Sequence, residues 1–232
     1  LVDNDTSGRD IFLHDRINGS TIRVSVASDG EPGSGDSRAP DISDDGRYVV
    51  FESLANDLVD NDASERDIFL HDTINGSTIR VSVDSDGNPG SGHSYAPAIS
   101  GDGRYVVFES EANDLVDNDT SGRDIFLHDR DSDENGVFDE DQGISTERVN
   151  VDSDGDPATT GDSWSSDVSD NGEDVVFESE ANDLVDGDTS GRDIFVRVTT
   201  TPTVGDDETP DDDETSGGGG SGGCFVGTLL NP

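Results

Sequence analysis

The sequence predicts an all-β chain of tandem four-stranded antiparallel units, and three observations carry that prediction. Apolar residues fall in short runs rich in β-branched and aromatic side chains, such as RYVVFES, DIFLHD and TIRVSV, bounded by Gly and Asp clusters. That is the pattern of strands, and no segment shows the 3.6-residue apolar period of a helix. An acidic phrase followed by an apolar run then returns four times, from Leu1, Leu58, Leu115 and Leu184, at steps of 57, 57 and 69 residues. Repetition of this kind marks an array of similar units.

Taken in order, the elements fill out one repeat. The chain opens with DIFLHD and TIRVSV, joined by RINGS, whose Asn-Gly is a strong hairpin signal between two β-rich runs. The first complete unit then reads SRAPDIS, RYVVFES, RDIFLHD and STIRVSV, separated by SDDG, the acidic loop and INGS. A second complete unit follows, lengthened by an insertion at residues 129–143, DRDSDENGVFDEDQG. The last unit supplies three strands and reaches Val198. Four-stranded units in tandem fit β-propeller blades, with a β-solenoid as the alternative. About three blades do not close a ring, so the expectation is an open or partial propeller, either part of a longer closed one or completed by other copies of the chain.

Composition narrows the function. Of 232 residues only 28% are hydrophobic, and the formal net charge is -42. Such a chain repels phosphate backbones, which argues against nucleic acid. All 13 basic residues are arginine. The acid excess suits either a strongly hydrated surface, as in proteins adapted to high salt, or coordination of hard cations by oxygen. A single cysteine, Cys224, excludes an internal disulfide framework. With no methionine at all, the chain reads as a processed or partial product.

The acidic loops are the candidate calcium sites. Asp3, Asp5, Ser7 and Asp10 form D-x-D-x-S-G-x-D, repeated as Asp60, Asp62, Ser64 and Asp67, as Asp117, Asp119, Ser121 and Asp124, and as Asp186, Asp188, Ser190 and Asp193. In a tight loop, alternate oxygen-bearing side chains turn toward one centre. The bland alternative is that Asp, Asn, Ser and Gly make good turns. Asp57, Asp114 and Asp183 either add an oxygen or cap the preceding strand. The insertion is more specific: Asp131, Asp133, Asn135, Asp139 and the Val137 carbonyl occupy positions of an EF-hand-like loop, with Gln142 where a bidentate Glu would stand. Its alternative is a solvated acidic hairpin. Asp84-Ser-Asp86-Gly-Asn88 and its copy at Asp152 have glycine in the wrong place and read as turns.

The stretches ISDDGRYVVFESLANDLVDNDASERDIFLHD, ISGDGRYVVFESEANDLVDNDTSGRDIFLHD and VSDNGEDVVFESEANDLVDGDTSGRDIF resemble the TolB-type (WD40-like) propeller repeats of secreted and surface bacterial proteins. The insertion loop resembles calcium loops of dockerins and integrin propellers. The last copy departs from the repeat pattern with Glu173 and Asp174 in place of Arg-Tyr, and the second loop has Glu65 in place of Gly. The resemblance implies a propeller with binding or scaffold roles and no single reaction.

An enzyme is not expected. His14, His71 and His128 share one repeated position, taken by Arg197 in the last unit, which favours architecture over catalysis. The recurrent Glu52, Glu109 and Glu178 read the same way, and Trp164 reads as blade packing or a sugar platform. Sequons at Asn18 and Asn75 are possible glycan acceptors in a secreted chain, while those at Asn4 and Asn118 lie within the acidic loops. Residues 199–223 form an acidic and Gly-rich linker, and 224–232, CFVGTLLNP, an apolar segment for anchoring or processing at Cys224 or for strand donation. The combined expectation is an extracellular or cell-surface calcium-binding structural protein, assembling head to tail with other copies of itself. A surface or glycan-binding propeller module is the alternative.

Overall fold

The computed structural model describes residues 8–198, apart from 61, 63, 64, 120, 121 and 190. The described part holds thirteen strands and no helix. A hairpin of β1 (Phe12–His14) and β2 (Thr21–Arg23) comes first. The first blade is β3 (Ser37–Ile42), β4 (Tyr48–Ser53), β5 (Asp67–Asp72) and β6 (Thr78–Arg80), paired in that order. The second is β7 (Ser94–Ile99), β8 (Tyr105–Ser110), β9 (Asp124–Asp129) and β10 (Ser145–Arg148). The third has β11 (Ser163–Val168), β12 (Asp174–Ser179) and β13 (Asp193–Val198). Every pairing is antiparallel, and the strand count of two, four, four and three is the one the repeats imply.

The sheets stack face on face, so the central strands of the first two blades are covered on both sides. Ile11 and Val24 of the hairpin region pack on Val49, Phe51 and Phe69 of the first blade. The opposite face of that blade, with Val50, Ile68 and Leu70, meets Val106, Phe108 and Phe126 of the second. The second blade in turn sends Val107, Ile125 and Leu127 against Val175, Phe177 and Phe195 of the third. This explains why YVVFES and DIFLHD are continuous apolar runs and not alternating ones: both faces are interior.

Three polar links join successive blades. The first strand of each blade carries a bulge with a positive φ, at Ala39 (46°), Ala96 (47°) and Ser165 (55°). Glu52 of the first blade accepts the amide of Ala96 at 3.0 Å, and Glu109 of the second accepts that of Ser165 at 2.9 Å. Asp41 accepts the amide of Ile99 at 2.9 Å. Thr78 and Thr146 donate to the carbonyls of Val26 and Val83 in the preceding unit. Tyr48 also presses on the turn of the next blade, where a Cβ at Gly103 would lie 2.5 Å from its ring. Only glycine fits that approach.

Candidate functional site

The acidic loops do gather carboxylates, but around an arginine. Asp67 opens β5, Asp62 lies in the loop before it, and Arg80 ends the neighbouring β6; Arg80 pairs with Asp62 and stands 3.6 Å from Asp67. The second blade repeats this with Arg148 paired to Asp119 and 3.6 Å from Asp124. In the hairpin, Arg23 lies 3.5 Å from Asp10. The Asp62 and Asp119 side chains are completely enclosed. Burial pushes the Asp62 carboxyl up to about 6 despite the opposing field of Arg80. It also raises Asp124, although Asn150 donates to that carboxylate.

A hydroxyl or amide completes each set. Ser25 and Ser82 donate to Asp10 and Asp67 and accept the next backbone amide, and Asn150 does both jobs in the second blade. One oxygen, Oδ2, of both Asp62 and Asp119 remains buried without a hydrogen-bond partner. The guanidinium thus neutralises much of each loop, while one acceptor per loop stays open. Asp60, Asp117 and Asp186 are exposed. Asp188 accepts the amide of Thr189, and neither it nor Asp193 has an arginine of its own blade, whose fourth strand is not among the described residues. Asp3, Asp5, Ser7, Ser64, Ser121, Ser190 and Cys224 lie outside the described residues. Among those described, no three His, Cys, Asp or Glu side chains stand together as a metal-ion group.

The insertion folds as a turn-rich arm pinned by Arg130. This side chain is fully buried, forms a two-point pair with Asp139 (Nε to Oδ1 2.8 Å), and lies between the rings of Tyr48 and Phe138, 4.2 and 4.7 Å from their centroids. The ninth loop position is therefore committed to an internal cation. Asp131 accepts the amides of Asn135 and Gly136, Asp133 accepts from the Asn135 side chain, and Asn135 also meets Glu140; Val137 is exposed. Between this arm and the first blade lies a cavity of about 590 Å³, walled by Arg47, Tyr48, Asp72, Asn75, Arg130 and Phe138 among others.

Other singled-out residues have structural partners. His71 and His128 bond through Nδ1 to Thr78 and Thr146 at 2.8 and 2.9 Å, and His14 bonds to Thr21 at 2.8 Å. Because the Thr78 and Thr146 hydroxyls donate onward to carbonyls, Nδ1 of each imidazole carries a proton. Burial lowers His71 and brings His128 down to about 4. Arg197, at the same position in the third blade, donates to the carbonyls of Arg148 and Val149 instead.

Asp57, Asp114 and Asp183 tie their loops to segments 23 or 24 residues upstream, accepting the amides of Ser34, Ser91 and Thr159 at 2.9 Å each. Asp84 and Asp152 close turns on Asn88 and Asp156, as expected. Trp164 lies under Arg192, 4.3 Å from its ring. Asn18 donates to Asp15, whereas Asn75 accepts from both the amide and hydroxyl of Ser77 beside the cavity. The arginine partners were overlooked in the sequence. Their signal was there, since Arg23, Arg80 and Arg148 recur at one position of the fourth strand.

No protein-family model and no curated protein matches the chain. Similar solved structures include TolB from Acinetobacter baumannii, at 16% identity and TM-score 0.47, covering 82% of this chain and 35% of that one. A putative TolB from Agrobacterium tumefaciens shows 19% identity and TM-score 0.47, covering 84% and 55%. The tricorn protease shows 14% identity and TM-score 0.49, covering 82% and 19%. The chain thus spans between about a third and just over half of these TolB structures. TolB proteins and an enzyme both stand among these structural neighbours. The all-β blade architecture rests on the strands themselves.

Proposed function

We propose that this is a secreted or cell-surface structural protein of propeller blades, stabilised by calcium and joined head to tail to further copies of itself. The observation that supports it most is the partly exposed apolar face of the third blade, where Ile194 is 51% exposed and its equivalents Ile68 and Ile125 on the other blades are fully buried. Exposed apolar faces mark interaction sites, and a contact between two different surfaces of the same chain gives an open polymer. Calcium is supported by the open oxygens of Asp62 and Asp119 and by the acids Asp131, Asp133 and Glu140 around Asn135. When bound, the ion would supply positive charge that offsets carboxylate repulsion.

Melting curves with calcium or chelator, at matched ionic strength, test the ion. Calcium at about 100 times its Kd adds about 2.7 kcal/mol per independent site, and equal curves would leave salt adaptation as the explanation of the acidity. Light scattering and electron microscopy on the full chain, with and without residues 224–232, test assembly and strand donation by the tail. Uniform monomers would reject it. The cavity beside the insertion supports a second reading, a ligand- or glycan-binding surface module.

A further inference from the structure

Among the described residues, the third blade presents a partly exposed apolar face whose equivalents on the other blades are buried. Ile194 is 51% exposed and Val176 36%, whereas Ile68 and Ile125, at the position of Ile194, are at 0%, as are Val50 and Val107 at that of Val176. On the first blade this face holds the incoming strand β7 by two carboxylates, Glu52 on the amide of Ala96 and Asp41 on that of Ile99. The third blade carries the same pair, Glu178 and Asp167, although the second blade has Ala98 in place of the aspartate. Glu178 now pairs with Arg192 at 3.5 Å, and Asp167 accepts the amide of its neighbour Val168.

The complementary strand lies at the other end of the same chain. β3 has the positive-φ bulge at Ala39, and its Ile42 is 41% exposed where Ile99 of β7 is 6% exposed. We propose that the partly exposed face of the third blade binds strand β3 of a second copy of this chain, with Glu178 and Asp167 accepting the amides of Ala39 and Ile42. This rests on the head-to-tail reading and specifies its junction. Two internal junctions show what such a face holds, and β3 carries the bulge and the exposed apolar residue that such a face receives.

The docked blade brings β13 to the place of β1, since Ile194 and Ile11 are equivalent positions facing the next blade. β1 therefore yields, and the Ser37 amide passes from the carbonyl of Arg9 to that of Arg192. Two three-residue strands form a weak pair to displace. β2 then stands beside β13 as its fourth strand and brings Arg23 to Asp193, as Arg80 comes to Asp67. The junction is weaker than an internal one. Asp174 replaces the tyrosine that presses on the next blade's glycine, and Arg38 stands where Tyr95 receives Arg66.

The test combines sedimentation velocity on the full chain with site-directed cross-linking. The double variant Glu178→Gln, Asp167→Asn should weaken self-association at least tenfold while leaving the thermal unfolding of the monomer nearly unchanged. In a Cys224→Ser background, Glu178→Cys mixed with Ala39→Cys should give disulfide-linked dimers on mild oxidation, in excess of those from either variant alone. Self-association that survives the double variant, without an excess of mixed dimers, would overturn this junction and leave head-to-tail assembly standing. Monomers at every concentration would overturn both.

Discussion

The second and third blades are built from nearly the same words and live in different surroundings. β8 and β9 are buried along almost their whole length, whereas β12 alternates buried with more exposed positions and β13 is mostly half-buried. The residue changes follow the surroundings. Arg104 and Asp129, a two-point ion pair in the second blade, become Glu173 and Val198, and Tyr105 becomes Asp174. His128, which works through a threonine of the fourth strand, becomes Arg197, long enough to reach the preceding blade directly.

Substitutions at matched positions would sharpen or break this comparison. The largest effect is expected at Arg148→Met, which leaves Asp119 and Asp124 buried without their cation and should cost about 3–5 kcal/mol in chemical denaturation. Asp188→Ala, in the loop without such an arginine, should cost well under about 1 kcal/mol. Next, Ile125→Ala should cost about 2–5 kcal/mol and Ile194→Ala a fraction of that. Similar losses at both would show that the third blade's face is covered in solution by something else.

Two titrations follow with opposite signs. His128 has its pKa lowered to about 4, so the unfolded chain binds the extra proton first, and stability is lost as pH falls from about 6.5 toward 4. The ceiling is about 3 kcal/mol from that shift, and His128→Gln should flatten the slope. Asp62 is raised to about 6, so its contribution is present below about 4 and is lost as pH rises through about 6. In chelator, Asp62→Asn should therefore raise the melting temperature at pH 7 and have little effect at pH 4. A drop at pH 7 would instead mark the charged carboxylate as a ligand or essential partner. The smallest effect is expected for Asp114→Asn, which keeps an acceptor for the Ser91 amide and should change stability by less than about 0.5 kcal/mol.

Much of the fold was legible because the repeat shows its own punctuation. Asn-Gly turns, strand runs such as DIFLHD and the 57-residue step placed every blade, and the doubly apolar YVVFES marked sheets covered on both sides. The site was less legible, because a one-dimensional reading sees acids that follow one another and not the arginine two strands away. D-x-D spacing is the same whether the centre holds a metal ion or Arg80. Asp139 at a ninth loop position looked like a ligand, yet its partner Arg130 comes from the start of the same insertion. Glu52 and Glu109 were assigned to architecture by repetition alone, and only the bulges at Ala96 and Ser165, invisible in sequence, show what they hold.

The glutamate that reaches from one blade to the bulge of the next has a mechanical consequence. Each blade is tied to its sequence neighbours, so tension applied along the chain loads these links in series. Under pulling, the hairpin of β1 and β2, with three residues per strand, should give way first, followed by single blades in steps. The first blade gives up about 57 residues, roughly 190 Å of extended chain, and the second, with its insertion, about 69, roughly 230 Å. Such a chain would yield gradually under load and recover blade by blade when the load is removed.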